Sequence, residues 1–252
     1  MTPAQDVKTP AQDVKTPAQD AKTPAQAPLH VMCALVVRGA FDAHVVPACE
    51  AAGGRLAIDW APTTVIMERI AAGASADAVL VLSDAMDRLV AEGRVEAQDR
   101  VAVARSRYGI AVRAGAPPPE IGSVEALKAT LTGARSVAYS RTGASGIWFA
   151  GLLSRLAIAE AVNARATIIP QGFTAEKLVS GEADLAVQQI SELMVVSGIE
   201  VVGPFPDPVQ EETEFWAAPM RGRGAAAARF LASLTTPEAA QAYRASGLTP
   251  AF

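Results

Sequence analysis

The residues best suited to chemistry lie in 134–156, ARSVAYSRTGASGIWFAGLLSRL. An apolar run ends at Tyr139. A turn of hydroxyls and glycines follows (Ser140, Thr142, Gly143, Ser145, Gly146), and an apolar pattern of helical period starts at Ile147. A strand, a small-residue turn and a helix start together present free backbone N–H groups at the positive end of a helix dipole, a seat for a small anion. Similar turns are read at 38–41 and at 62–65, where Thr63 and Thr64 supply hydroxyls. The turn approaches the GxSxG nucleophile elbow but has Ile147 where the last glycine belongs, and it lacks the GK[ST] of a phosphate-binding loop. His44, Asp84 and Tyr139 are candidate proton-transfer groups, and nothing in the sequence chooses among them.

Other function classes recede. Net charge is −4 with both signs scattered, and no basic patch interleaved with aromatics appears, so no nucleic-acid partner is expected. No apolar run approaches the roughly 20 residues of a membrane span. Cys33 and Cys49 are not in a CxxC pair and read as small hydrophobes; His30 and His44 are not at metal-ligand spacing. Neither a metal nor another cofactor is expected. TPAQDVK occurs at 2–8 and 9–15, recurs as TPAQDAK at 16–22, and decays to TPAQAP at 23–28. A proline every seven residues blocks a continuous helix, so 1–28 is expected to be a disordered tail. It holds no apolar core of a secretory signal. A cytoplasmic location is therefore expected for the chain as written, and a periplasmic one if the natural N-terminus differs.

The elements that must position these turns alternate. Strands are expected at 30–37, 55–60, 78–82, 100–112, 136–139, 166–169, 183–188, 200–203 and 213–218. Helices fall between them and close the chain at 225–234 and 237–245. Alternation implies parallel sheets covered by helices on both faces. Proline-rich breaks near 113–119 and 204–210 divide the run. The expectation is an α/β protein of two lobes, 29–112 plus 211–252 and 113–203, with 204–210 as the second crossing of a hinge and a cleft between them. The turns lie beyond the carboxyl ends of strands, where open α/β sheets bind ligands.

The segments GARSVAYSRTGASGIWFAGLLSRLAI, EKLVSGEADLAVQQISEL and EVVGPFPDPVQ occur in that order, after ADAVLVLSDAMDRLVAEGRV and AVARSRYGIAVRAGAPPPEI. Over about 30–252 the chain resembles the molybdate-binding branch of the extracellular solute-binding proteins. That resemblance implies the type 2 periplasmic binding protein fold, a Venus flytrap. It also implies an anion held without metal by hydroxyls and N–H groups at four turns: 37–40 with Arg38 and Gly39, 62–64 with Thr63 and Thr64, 140–145, and 171–172 with Gln171. Gln188 stands near the end of a later strand. Two residues depart from the family pattern, Arg38 and Arg141. A planar guanidinium suits a carboxylate better than a tetrahedral oxyanion already held by neutral donors, which favours a di- or tricarboxylate. The function expected is a monomeric binding protein closing around a small anion, with ABC-transporter membrane components as partners if it is exported. The group also includes aconitate isomerase, so an allylic proton shift between cis- and trans-aconitate is the alternative.

Overall fold

A computed structural model describes residues 27–252; the heptad repeats, apart from their last two residues, lie outside the described part. In chain order the elements are β1 (Leu29–Ala34), a 3-10 turn (Leu35–Val37), α1 (Arg38–Ala40), a π turn (Phe41–Val45), α2 (Val46–Ala51), β2 (Leu56–Ala61), α3 (Thr63–Ala71), β3 (Ala78–Leu82), α4 (Ser83–Ala91) and β4 (Val101–Arg113). Then come α5 (Val124–Gly133), β5 (Val137–Ser140), α6 (Ala144–Arg155), α7 (Ala159–Asn163), β6 (Thr167–Ile169), α8 (Glu176–Val179), β7 (Leu185–Gln189), α9 (Ile190–Leu193) and β8 (Ile199–Pro204). β9 (Glu212–Pro219), α10 (Ala225–Ser233), α11 (Pro237–Ala245) and β10 (Thr249–Pro250) close the chain.

Local chemistry explains many of these boundaries. The Ser123 hydroxyl accepts from Ala126 N at the start of α5, and Thr236 does the same for Ala239 N at α11, with Pro237 behind it. Gly73 and Gly93 take φ of 95° and 67° just past α3 and α4, a conformation that a side chain would strain. The first strand is shorter than expected: after Ala34 the apolar run coils into a 3-10 turn, which delivers Arg38 to the start of a helix.

The strands form two sheets that share β4. In the first the order is β2-β1-β3-β9-β4, with β10 also on β4; in the second, β8 and β7 both flank β4, followed by β5 and β6. β1 is parallel to β2 and β3, and β5 to β6 and β7. The pairings of β9, β4 and β8 are antiparallel, so the sheets are mixed rather than purely parallel. β4 pairs β9 through Arg107 and β7 from Tyr108 onward. The passage between sheets therefore falls inside a strand at 107–108, ahead of the proline-rich segment. Gly109 sits at this passage: a Cβ there would lie 2.6 Å from Ile190 Cγ1 and 2.9 Å from the Gly203 carbonyl.

The buried apolar clusters respect the same division. Two line the faces of the first sheet, around Phe41, Phe230 and Tyr243 on one side and Ile66, Met86 and Leu89 on the other. Two line the second, around Tyr108, Trp148, Phe149 and Phe205 and around Ala175, Leu178 and Leu193. Cys33 lies in the first core; both cysteines are free thiols. Among the described residues no helix is long and apolar enough to cross a membrane.

Candidate functional site

The carboxyl ends of β1, β2, β5 and β7 converge on a partly open cavity of about 30 Å³ between the lobes. The first lobe lines it with Ala34, Leu35, Pro62, Thr63 and Phe215, and the second with Ser140, Gly143, Ala144, Ser145, Gln171, Gly172, Gln188, Gln189 and Glu192. Two helix starts meet here from opposite lobes. α3 begins after Pro62, and α6 after Gly143, whose carbonyl accepts from Gly146 N and Ile147 N. The N–H groups of the first residues of each helix have no partner within the helix and carry its positive pole into the cavity.

Glycine makes the α6 start possible. A Cβ on Gly143 would stand 2.5 Å from Ser140 Oγ, and one on Gly146 would overlap the Ser140 carbonyl oxygen. The helix thus seats directly on the end of β5. Ser140 Oγ is buried in this corner without a hydrogen-bond partner among the described residues, a polar atom left for an occupant of the cavity to satisfy.

Several candidate donors prove to be engaged elsewhere. Gln188 accepts from Thr174 N (2.8 Å) and Thr174 Oγ1 (2.9 Å) and donates to Gly172 O (2.8 Å). It clamps the 171–174 turn against β7. The Thr63 hydroxyl accepts from Leu82 N at 3.3 Å. Thr64 Oγ1 donates to Thr142 O at 2.7 Å, a hydrogen bond joining the lobes at the cavity rim, and Thr142 Oγ1 donates to Pro170 O.

Arg38 does not line the cavity. One helical turn after Leu35, its guanidinium lies 5.6 Å from the Trp60 ring and 5.9 Å from Phe173, which follows the lining residue Gly172. It stands at the rim, paired with Asp42 at 3.4 Å. Arg141 is exposed, with its backbone N donating to Ile169 O. Gly39 lies outside the cavity, where a Cβ would touch Ser246 and Val195; it permits close packing of α1.

The three candidate proton-transfer groups also fall outside the lining. The Tyr139 hydroxyl donates to Asn163 Oδ1 at 2.7 Å within the second lobe. Asp84 is exposed and accepts from Ala85 N at the start of α4. His44 is half-buried on the π turn. The ionisable group inside the cavity is one the sequence reading passed over, Glu192. Burial lifts its carboxyl to about 8, against the Gln188 side chain and Gln189 backbone, which favour the charged form. Its signal was faint: Glu192 is the third residue of α9 after Gln189, the position from which a glutamate reaches back to cap its own helix start.

A second, larger groove of about 650 Å³ lies at the other end of the first lobe, near Leu29 and Leu56, with Arg55, Arg223 and Arg229 along it. It sits at the amino ends of β1 and β2, the wrong end for ligands of open α/β sheets. Among the described residues no group of three or more His, Cys, Asp or Glu is placed to hold a metal ion.

Comparison with known proteins agrees with this architecture. The family described as bacterial extracellular solute-binding protein matches residues 29–249. A relative, aconitate isomerase from a Pseudomonas species, is 40% identical over 215 residues, covering 82% of each chain. The periplasmic molybdate-binding protein of Azotobacter vinelandii superposes with a TM-score of 0.73 at 18% identity, over 88% of this chain and 98% of that one. The sulfate-binding protein of Mycobacterium tuberculosis gives 0.69 at 20% identity, over 88% and 86%. The chain belongs to the bacterial extracellular solute-binding protein family and has its two-lobed type 2 periplasmic binding protein fold.

Proposed function

We propose that this member of the family binds a small polycarboxylate between its lobes and interconverts cis- and trans-aconitate by an allylic proton shift. The observation that carries the reading is the 40% identity to aconitate isomerase across 82% of both chains. The site is chemically suited to it. Helix starts from both lobes offer N–H donors to carboxylates, and Arg38 adds a guanidinium at the rim. In the shift a base removes a proton from the substrate methylene, and the C–H electron pair forms the new double bond. The former vinyl carbon then gains a proton. Negative charge that builds on the flanking carboxylate between the two steps is stabilised by preorganised N–H donors. A cavity of about 30 Å³ holds only about two waters, so the lobes must part to admit a tricarboxylate. The test is proton NMR of cis-aconitate incubated with the purified protein in heavy water. The vinyl resonance of the trans isomer is expected to grow until equilibrium; an unchanged spectrum at saturating substrate contradicts the isomerase.

The small cavity and its neutral donors favour a second reading, a binding protein that closes around a tetrahedral oxyanion and passes it to ABC-transporter components. Molybdate or sulfate would then raise the melting temperature while aconitate neither binds nor turns over. A ligand at 100 times its dissociation constant adds about 2.7 kcal/mol.

A further inference from the structure

Building on the isomerase reading above, we propose that Glu192 is the proton-transfer residue of the cleft, taking the proton from the methylene carbon of the substrate's allylic unit and delivering it to the vinyl carbon at the other end of that unit. Among the residues lining the cavity, it alone has a side chain that ionises in the ordinary pH range. Its place follows from the chain path: α9 starts directly after β7, which carries Glu192 into the cavity lining beside Gln188 and Gln189. Gln188 is itself clamped by Thr174 and Gly172. The same cavity is lined by Ser140, whose buried Oγ lacks a partner among the described residues, and by the N-terminal residues of α3 and α6. A proton-accepting group, an unsatisfied hydroxyl and two positive helix ends thus share one cavity.

The step balances without a co-reactant. The Glu192 carboxylate accepts the methylene proton, and the C–H pair becomes the new C=C bond to the central carbon. The old π pair then takes the proton from the neutral carboxyl at the former vinyl carbon, which regenerates the carboxylate. Burial, which holds the carboxyl near 8, makes its ionised form a stronger base than an exposed glutamate. The protonated form does not repel an arriving polyanion. Because one carboxyl serves both carbons, part of the transferred hydrogen is the substrate's own.

The experiment compares the full chain with Glu192→Gln, Glu192→Asp and His44→Ala. Conversion of cis-aconitate in heavy water is followed by NMR, and binding is followed by thermal shift with tricarballylate, the saturated tricarboxylate that cannot undergo an allylic shift. Expected for wild type is turnover, with less than one deuterium incorporated per product molecule. In Glu192→Gln, kcat is expected to fall about 10²–10⁴-fold while the tricarballylate shift persists. Glu192→Asp keeps a rate above the Gln variant, and His44→Ala stays close to wild type. Turnover by Glu192→Gln at a rate comparable to wild type overturns the assignment and leaves the isomerase standing. Loss of tricarballylate binding in both Glu192 variants overturns it too, by making Glu192 a binding group. An inert wild type overturns the isomerase and the assignment together.

Discussion

Gly146 has no room for a methyl group. A Cβ there would run into the Ser140 carbonyl, and the start of α6 would have to lift off β5. Gly146→Ala is expected to destabilise the protein by about 1–3 kcal/mol, the usual cost of overpacking, read as a shift of the urea midpoint. Gly53 offers the contrast, since nothing lies within 4 Å of its missing Cβ and only its φ of 78° resists substitution. Arg38 is the second test at this scale. If its guanidinium reaches a substrate carboxylate, Arg38→Ala weakens tricarballylate binding by about 1.5–3 kcal/mol in calorimetric titration. Arg38→Lys restores only part of that, because an ammonium cannot fork onto a carboxylate. Equal affinity in all three proteins would place Arg38 outside the site. The hydroxyl–glycine turn was legible because its residue types have few other uses at a strand end. Gln188, expected near a strand end, lines the cavity, but its clamping bonds were not legible, since its partners Thr174 and Gly172 come from a loop whose path no local pattern fixes.

Two elements escaped the sequence for different reasons. α9 is four residues long, too short for a helical period to show, and so nothing in the sequence singles out Glu192. β4 is apolar at both ends and interrupted by Arg105, Ser106 and Arg107, a polar run that by pattern alone reads as an exposed bend in one strand rather than as the passage from one sheet to the other. The closing helices were readable: α10 and α11 lie within about a residue of the expected 225–234 and 237–245 at each end. α9 also has a testable thermodynamic consequence. In the folded protein the Glu192 carboxyl sits near 8, above the unfolded value of about 4.3. The native state therefore binds the proton more tightly. Stability from this group is full below the unfolded pKa and is lost as pH rises through about 8. In the absence of ligand, the melting temperature of wild type is expected to fall relative to Glu192→Gln between pH 5 and 8.5. Parallel curves in calorimetry would contradict the raised carboxyl.

At the scale of the whole molecule, a two-lobed α/β fold was legible from element alternation, while the first proline-rich break, at 113–119, falls after the passage between the sheets at 107–108. The separation of the buried clusters on either side of 107–108 bears out a two-lobed fold. What joins the lobes across the cleft was not legible, because the Thr64–Thr142 contact links residues 78 positions apart. Thr64→Val removes that bond and keeps the side chain's shape. Because the lobes part to admit the ligand, its loss is expected to strengthen tricarballylate binding by about 0.5–1.5 kcal/mol, the net worth of one hydrogen bond, read by calorimetric titration; weaker binding would show that the bond persists in the complex. The proposed function depends on where a tricarboxylate sits, and a crystal structure with tricarballylate measures that most directly. The predicted result is one ligand between the starts of α3 and α6, within reach of Glu192, with the lobes further apart than the 30 Å³ cavity implies. A ligand found instead among Arg55, Arg223 and Arg229 in the far groove, or an empty cleft at saturating concentration, would contradict it.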